Sequence, residues 1–298
     1  MVTALDTWQT YQQLFEDELE TRRHAKMTIT TYRLAVRQLG DFLRARNMPT
    51  DPTVLTREHV GEWMRDLSTR VTPQTQLQRF RSASRFFQVL MEMGEIRESP
   101  MAKMHPPRVP EKLVPVVGDG DLQKLFRVVS GQEFDDRRDR AILSLFLDCG
   151  LRIGEMAGIR MADLNMAERQ VVVTGKGSRV RELRFTRETR GDINRYLLKR
   201  VSESEYLWLG RRGTRLTGSG IYRMIQRRCD QAAIPRFHPH MLRHTFAHGY
   251  LAAGGNEGDL MRVTGWKSRA MVDRYGASVA EQRARDAHDS FSPRRKLR

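Results

Sequence analysis

A cluster of prolines between residues 99 and 110 limits the fold of this chain more than any other sequence feature. Pro100, Pro106, Pro107 and Pro110 follow one another closely. Because proline lacks a backbone N–H and fixes φ, no helix can continue through this stretch. A chain of 298 residues that is interrupted in this way is expected to form two domains. We predict a helical domain over residues 1–105, a Pro-rich linker over 106–118 and a second domain over 119–298.

The part before the prolines has the pattern of a helical bundle. Its apolar residues recur every three or four positions, which is typical of amphipathic helices. The pattern predicts helices at Trp8–Leu19, Ile29–Leu43, Thr56–Leu67 and Thr72–Met93. Thr56 is suited to an N-cap, Pro73 is tolerated in a first turn, and Gly94 is suited to end the fourth helix.

The part after the prolines has a mixed pattern. The predicted helices are Leu122–Val129, Arg138–Leu147, a helix from Gly150 toward Leu164, Arg190–Arg200, Gly220–Ala233 and His240–Ala253. Two Val-containing runs, Gln170–Thr174 and Val180–Phe185, flank a Gly-containing turn and predict a hairpin. The expected fold class is therefore mainly α with a small antiparallel β-hairpin. Tyr196, Tyr222 and Tyr250 lie at apolar spacing and are expected in the core.

The charge of the chain favours a polyanionic partner. Lys and Arg number 52 against 36 Asp and Glu, which gives a net charge of +16. Residues 1–110 contain 16 basic and 13 acidic side chains, and residues 111–298 contain 36 and 23. Arginine makes up 44 of the basic residues, and its planar fork suits phosphate oxygens. Nucleic acid is the expected partner, and a basic surface without a specific partner is the alternative.

Cysteine usage and hydropathy indicate the compartment. Cys149 and Cys229 are the two cysteines, and neither lies in a disulfide or zinc motif. The sequence has no apolar run of membrane-spanning length and no signal-peptide pattern at its start. A cytoplasmic protein without a membrane partner is expected.

Four short clusters in the second part contain phosphate ligands or proton-transfer groups. They are Gly150–Glu155, Gly175–Gly177, His238–His244, and Gly265-Trp266 together with Arg274-Tyr275-Gly276. Each cluster alone is common in structural settings, since an arginine often caps a helix and a hairpin lysine is usually just exposed. Only their combination and order are specific.

Taken together, the clusters resemble the catalytic domain of the tyrosine recombinases, which include Xer-like, Cre-like and phage-type integrases. The resemblance covers residues 119–292 through these motifs, and residues 1–110 more loosely through a pattern similar to the family's SAM-like core-binding domain. It implies as site residues Arg152, Lys176, His240, Arg243, Trp266 and the nucleophile Tyr275, supported by Glu155. Xer-like members more often carry His where Trp266 stands, and an indole cannot shuttle protons.

The resemblance also implies a mechanism. Arg152 and Arg243 would clamp the non-bridging oxygens of a DNA phosphate, where charge grows in the transition state. A tyrosine phenol has a reference pKa of about 10, so Tyr275 needs a proton acceptor, for which His240 is the candidate. Lys176 would protonate the leaving 5′ oxygen. The 3′-phosphotyrosyl bond conserves the energy of the phosphodiester, so neither a cofactor nor a metal is expected.

The assembly expected from the resemblance is a C-shaped clamp on double-stranded DNA with paired inverted half-sites. A chain that is a monomer or weak oligomer when free would form a homotetramer on synapsed DNA and exchange strands through a Holliday junction. The segment Ala280–Phe291 is the candidate docking helix between protomers. Accessory DNA-bending proteins and a place at the nucleoid fit this scheme. Integration or excision of a mobile element and resolution of DNA dimers both remain open as roles.

Four alternatives bear on the same residues. A type IB topoisomerase uses a similar residue set, and a DNA-binding protein could keep the fold without catalysis. The Gly-Lys-Gly sequence lacks the spacing of a P-loop and is not read as a nucleotide site. His240, His244 and His248 have metal-ligand spacing but no accompanying glutamate motif. His244 and His248 are instead expected to be packing residues, and His238 to line the site.

Overall fold

The structure, a computed structural model, describes residues 7–110, 114–175 and 179–276, without the side chains at 179, 274 and 276. Lys176 and the predicted docking helix Ala280–Phe291 lie outside these residues. The chain divides into two compact units, Met1–Glu111 and Lys112–Arg298.

The first unit contains the helices α1 (Thr7–Thr21), α2 (Lys26–Ala45), α3 (Arg57–Arg70) and α4 (Pro73–Glu92). The second unit contains α5 (Asp119–Val128), α6 (Phe134–Cys149), α7 (Ile153–Gly158), β1 (Leu164–Asn165), β2 (Gln170–Gly175), β3 (Arg179–Arg184), α8 (Arg187–Leu197), α9 (Gly218–Gln231), α10 (Pro239–Ala252), α11 (Glu257–Thr264) and α12 (Arg269–Gly276). Single 3-10 turns lie at Pro52–Val54 and Met161–Asp163.

The first unit packs around aromatic side chains. The ring of Phe86 on α4 lies 5.3 Å from that of Trp8 and 5.3 Å from that of Phe15, both on α1. All three residues are buried. The backbone N–H of Thr75 donates to the hydroxyl of Thr72, which caps α4 as its sequence indicates. The apolar stripe explains why the four predicted helices pack together, and the Thr72 cap explains where α4 begins.

The second unit places α6 in its core. Ile142, Leu143, Leu145 and Phe146 of α6 are completely buried. Beside this helix lies an antiparallel sheet in the order β1-β2-β3. In the β2–β3 pair Gln170 lies opposite Arg184 and Gly175 opposite Arg179, so the predicted hairpin is present.

The helix predicted from Gly150 toward Leu164 is wrong beyond residue 158. α7 ends at Gly158, and the chain continues as an extended segment. There the N–H of Leu207 donates to the carbonyl of Ile159, and Arg160 forms a β-bridge with Tyr206. Pairing with a segment more than 40 residues away thus overrides the local helical pattern.

A buried group of ion pairs joins α6 to α9. Asp139 is fully buried and accepts hydrogen bonds from Arg138 at 2.6 Å and from Arg228 at 2.8 Å. Arg228 also donates to Asp136 at 2.8 Å. Because every buried charge has an opposite partner, the desolvation cost is offset.

The tyrosines and the hydropathy of the helices can also be compared with the sequence predictions. Tyr222, expected in the core, is 36% exposed, and its ring stacks on His238 at 5.8 Å. Tyr196 is buried as expected. Among the helices of the described residues, none combines the length and hydropathy that crossing a membrane requires.

Candidate active site

Arg152 lies at the start of α7, just after a sharp reversal of the chain. Gly150 ends α6 in the left-handed region with φ 56°. A Cβ at this position would come within 2.3 Å of the ring of Phe246, so both the φ value and the space require glycine. The turn leaves the side chain of Arg152 38% exposed at the N-terminus of α7.

Glu155 holds Arg152 in place. Its carboxylate accepts the backbone N–H of Arg152 at 2.9 Å and the Nη1 of the same residue at 2.8 Å. Arg181 on β3 approaches the same carboxylate from the other side, with Nη1 at 3.0 Å and Nη2 at 2.8 Å. Burial raises the pKa of Glu155, but hydrogen bonds from Arg181 and Arg152 outweigh it, so the pKa lies below its usual range. The side chain is therefore a carboxylate at neutral pH.

Arg243 on α10 is 1% exposed and is fixed by two backbone carbonyls. Its Nη1 donates to the carbonyl of Gly150 at 2.5 Å, and its Nη2 donates to that of Thr264 at 2.6 Å. Burial, followed by the nearby charge of Arg152, lowers the pKa of Arg243 to about 10. The guanidinium therefore remains charged at neutral pH, in a place where an anion would stabilise it.

Trp266 and Tyr275 stack beside this arginine. α11 ends at Thr264, and Gly265 turns the chain with φ 68°. The rings of Trp266 and Tyr275 then lie parallel, 4.7 Å apart at 9°. The guanidinium of Arg243 lies 5.6 Å from the centre of the Trp266 ring. The indole thus packs against both the candidate nucleophile and a candidate phosphate ligand.

The histidines of α10 are arranged differently from the sequence expectation. His244 was expected to be a packing residue, but its Nδ1 lies 2.6 Å from the hydroxyl of Tyr275. The ring of His240 meets that of His244 edge to face at 4.6 Å. Burial, and then the charges of Arg243 and Arg152, lower the pKa of His240, so it is neutral at neutral pH.

The structure therefore places six of the seven predicted site residues near one another. Arg152 pairs with Glu155, and its charge acts on both His240 and Arg243. Trp266 packs against Arg243 and Tyr275. Lys176 lies outside the described residues, between β2 and β3 in the sequence. In the part of the chain that the structure describes, no three His, Cys, Asp or Glu side chains are grouped so that they could hold a metal ion.

Sequence reasoning missed two residues of this cluster. Arg181 was not singled out, because it is one of three arginines between residues 179 and 184 and nothing in the sequence distinguishes it from the other two. The alternation along β3 could have identified it, since Arg181 lies two residues before the buried Leu183 and therefore on the same face of the strand. For His244 the available signal was its position four residues after His240, which puts both on one side of a helix.

Comparison with known proteins gives the family. Residues 119–282 match the phage integrase family, and residues 12–93 match the N-terminal SAM-like domain of phage integrases. Tyrosine recombinase XerC of Chlorobaculum tepidum is 27% identical over 307 aligned positions, which cover 92% of this chain and 91% of that protein. Tyrosine recombinase XerC of Pseudomonas aeruginosa is 33% identical over 231 positions, or 74% of each chain.

Solved structures have the same fold. XerH recombinase bound to a palindromic difH substrate has a TM-score of 0.74 at 15% identity, covering 92% of this chain and 84% of that one. A lambda integrase dimer bound to a COC′ core site has a TM-score of 0.74 at 14% identity, covering 90% and 94%. With both parts of the sequence matched and the predicted resemblance confirmed, this chain belongs to the phage integrase family and is a tyrosine recombinase.

Proposed function

We propose that this chain recombines DNA at specific sites by attack of Tyr275 on a phosphodiester, followed by rejoining to a partner strand. The observation that supports this most directly is the stack of Tyr275 on Trp266, with the guanidinium of Arg243 against the same indole. A nucleophile and a buried cation suited to phosphate thus share one cluster.

Arg152 and Arg243 are the proposed phosphate ligands. A guanidinium has five N–H donors, and Arg243 uses two of its nitrogens on backbone carbonyls. Arg152 is oriented by Glu155 and is partly exposed, so its fork is accessible to DNA. Both cations are held before the substrate arrives, which is the arrangement that stabilises a transition state most. Loss of one such donor is expected to cost about 3 kcal/mol in activation free energy, or about a hundredfold in rate.

Proton transfer completes the proposed reaction. His240 is close enough to Arg243 and Arg152 for their charges to lower its pKa, and we assign it to the active site, as the resemblance implies. Lys176 is the proposed acid for the leaving 5′ oxygen, and it follows β2 directly in the sequence. The product would be a 3′-phosphotyrosyl bond and a free 5′ hydroxyl, which can attack the equivalent bond of a second duplex.

DNA with paired inverted half-sites is the proposed partner. The domain of residues 1–105 and that of residues 119–298, joined by the linker at 106–118, would both bind one half-site. Four chains would act on two synapsed duplexes. The larger charge excess after residue 110 predicts strongly salt-dependent binding, because each neutralised phosphate releases counterions. A protein with this substrate is expected at the nucleoid.

Of the two biological roles, resolution of DNA dimers is favoured by the relatives named XerC. The test is a plasmid that carries two directly repeated copies of the recognition site. Deletion of the segment between them supports resolution. A requirement for two different site sequences would instead support integration.

Covalent trapping tests the reaction itself. The purified chain is incubated with a library of nicked duplexes of randomised sequence, in which the fragment released by cleavage diffuses away. We expect a DNA adduct that is resistant to denaturant with the unmodified chain and none with Tyr275→Phe. Tyr250→Phe is the matched control, since Tyr250 is a half-buried aromatic that packs in the same hydrophobic cluster. An adduct that survives Tyr275→Phe would overturn the assignment.

A second assay separates recombinase from topoisomerase. The duplex recovered by trapping is placed in two supercoiled plasmids. Strand exchange between the plasmids is expected for a recombinase. Relaxation of a plasmid without the recovered site, and no exchange, would favour the topoisomerase.

A further inference from the structure

The hydroxyl of Tyr275 and the Nδ1 of His244 lie 2.6 Å apart, which is hydrogen-bond distance. The two rings are tilted by 40° with their centres 5.0 Å apart. Tyr275 is 3% exposed, and a buried phenol requires a polar partner for its hydroxyl. The contact joins α10 to α12 across 31 residues of sequence, so it depends on the fold of the site.

His240 occupies a different place. His240 and His244 are one turn apart on α10 and share a side of the helix. His240 touches the ring of His244, and the described contacts include no hydrogen bond between His240 and Tyr275. Its neighbours are instead the cations Arg243 and Arg152, which are the proposed phosphate ligands.

For attack by Tyr275, the phenol must donate in this contact and the Nδ1 of His244 must accept. A phenol that attacks phosphorus must lose its proton, and a neutral imidazole has one ring nitrogen that can accept it. A general base must lie within about 2.6–3.2 Å of the proton donor, a range that the Nδ1 of His244 meets. The neutral state of His240 helps, because a protonated His244 would then have no charged imidazole against its ring.

We propose that His244 is the catalytic residue that accepts the phenol proton of Tyr275. In the step, the bond from Tyr275 Oη to phosphorus forms and the bond from phosphorus to the 5′ oxygen breaks. The phenol proton moves to Nδ1 of His244, and the 5′ oxygen takes a proton from the ammonium of Lys176. His240 then contacts the phosphate beside the arginines. This inference rests on the proposed function, since it assigns a residue to that reaction.

The test uses the nicked duplex recovered by trapping, with sulfur in place of the scissile 5′ oxygen. A thiolate leaves without protonation, so the rate of adduct formation reports the nucleophile alone. His244→Phe keeps a ring but has no acceptor, and His244→Asn supplies a hydrogen-bond acceptor that takes no proton. We expect both variants to form the adduct about 100-fold more slowly or worse, within the usual range for general bases, with DNA affinity changed less than twofold. His248→Phe, one turn further along α10, is the control and is expected to match the unmodified chain.

Replacement of Tyr275 by 3,5-difluorotyrosine separates proton transfer from packing. Fluorine lowers the pKa of a phenol, so the nucleophile is ionised without help. We expect this replacement to restore most of the rate lost in His244→Phe, which a purely structural defect would not allow. Full activity of His244→Asn, or no rescue by difluorotyrosine in a variant that still binds DNA, would overturn the proposal. Absence of any adduct with the unmodified chain would instead refute the proposed function.

Discussion

Arg181 is expected to hold the active site together although it is not a proposed phosphate ligand. Its two terminal nitrogens bind both oxygens of Glu155, and its Nε donates to the carbonyl of Val263 at 3.0 Å. One side chain thus ties β3 to α7 and to the last turn of α11. The perturbation that tests this is Arg181→Met, which keeps an unbranched apolar stem and removes every donor.

The magnitude follows from burial. The side chains of Arg181 and Glu155 are 14% and 4% exposed, so their pair is shielded from water. Removal of one partner of a buried pair typically costs about 3–5 kcal/mol in the free energy of unfolding. Arg152 still neutralises Glu155 after the substitution, so we expect the lower end, about 3 kcal/mol. Replacement of both partners by methionine is expected to cost less than the sum of the single changes, because the buried carboxylate that loses Arg181 in the single variant is then absent.

Urea unfolding of the full chain measures these differences, with each of the two units followed by its own transition. Lys124→Met is the control, since Lys124 is 56% exposed and its ammonium lies 3.7 Å from Asp121. It is expected to cost less than about 1 kcal/mol. Adduct formation by Arg181→Met should also slow, because Glu155 no longer has a fixed orientation toward Arg152. A loss in stability below about 1 kcal/mol, or strict additivity of the two methionine changes, would refute the reasoning.

Three further outcomes are expected. Gly61→Ala should stabilise the chain by about 0.5–1 kcal/mol, because nothing lies within 4 Å of the added Cβ in α3. Gly40→Ala should destabilise it, because the added Cβ would come within 2.3 Å of Trp8. Urea unfolding measures the change in unfolding free energy for each variant. Trp266→Ala should reduce trapped adduct at least tenfold with little change in DNA affinity, and equal adduct would contradict a role for the stack. In the folded chain the pKa of Glu155 lies below its unfolded value of about 4.3, so the ionised carboxylate stabilises the fold above that pH. This stability is lost as the pH falls through the folded pKa. Glu155→Gln should therefore flatten the acid part of the plot of unfolding free energy against pH.

The residues that sequence could identify are those whose chemistry is unusual for their local setting. An arginine directly after Gly150-Leu151, and a tyrosine that follows an arginine near the end of the chain, become informative once they occur in a fixed order. The stack of Trp266 on Tyr275 could be expected as packing, but its parallel geometry could not. The helices of the first unit lie close to the bounds that the apolar repeat predicts. The start of α4 could be predicted more exactly, because Thr72 is a recognisable N-cap residue.

The parts that sequence could not give depend on partners far along the chain. Asp139 and Arg228 read as solvent-facing charges in amphipathic helices, yet they form a buried pair 89 residues apart. Arg181 meets Glu155 across 26 residues, and His244 meets Tyr275 across 31. A periodic pattern assigns charge to the surface by default, and only the fold shows which charges are paired inside.

Some arginines of this chain are buried and bind groups within the fold, so the net charge overstates the number of cations available to DNA. Arg138, Arg228 and Arg243 are each at most 5% exposed and bind carboxylates or backbone carbonyls within the second unit. Their charges are therefore not available to track a DNA backbone over its length, and two of them are matched by buried aspartate. Arg243 differs, since its partners are neutral carbonyls and its charge stays uncompensated by them. A buried cation whose neighbours satisfy its geometry but not its charge is stabilised when an anion binds, and this is what distinguishes a phosphate-binding arginine from a structural one in this fold.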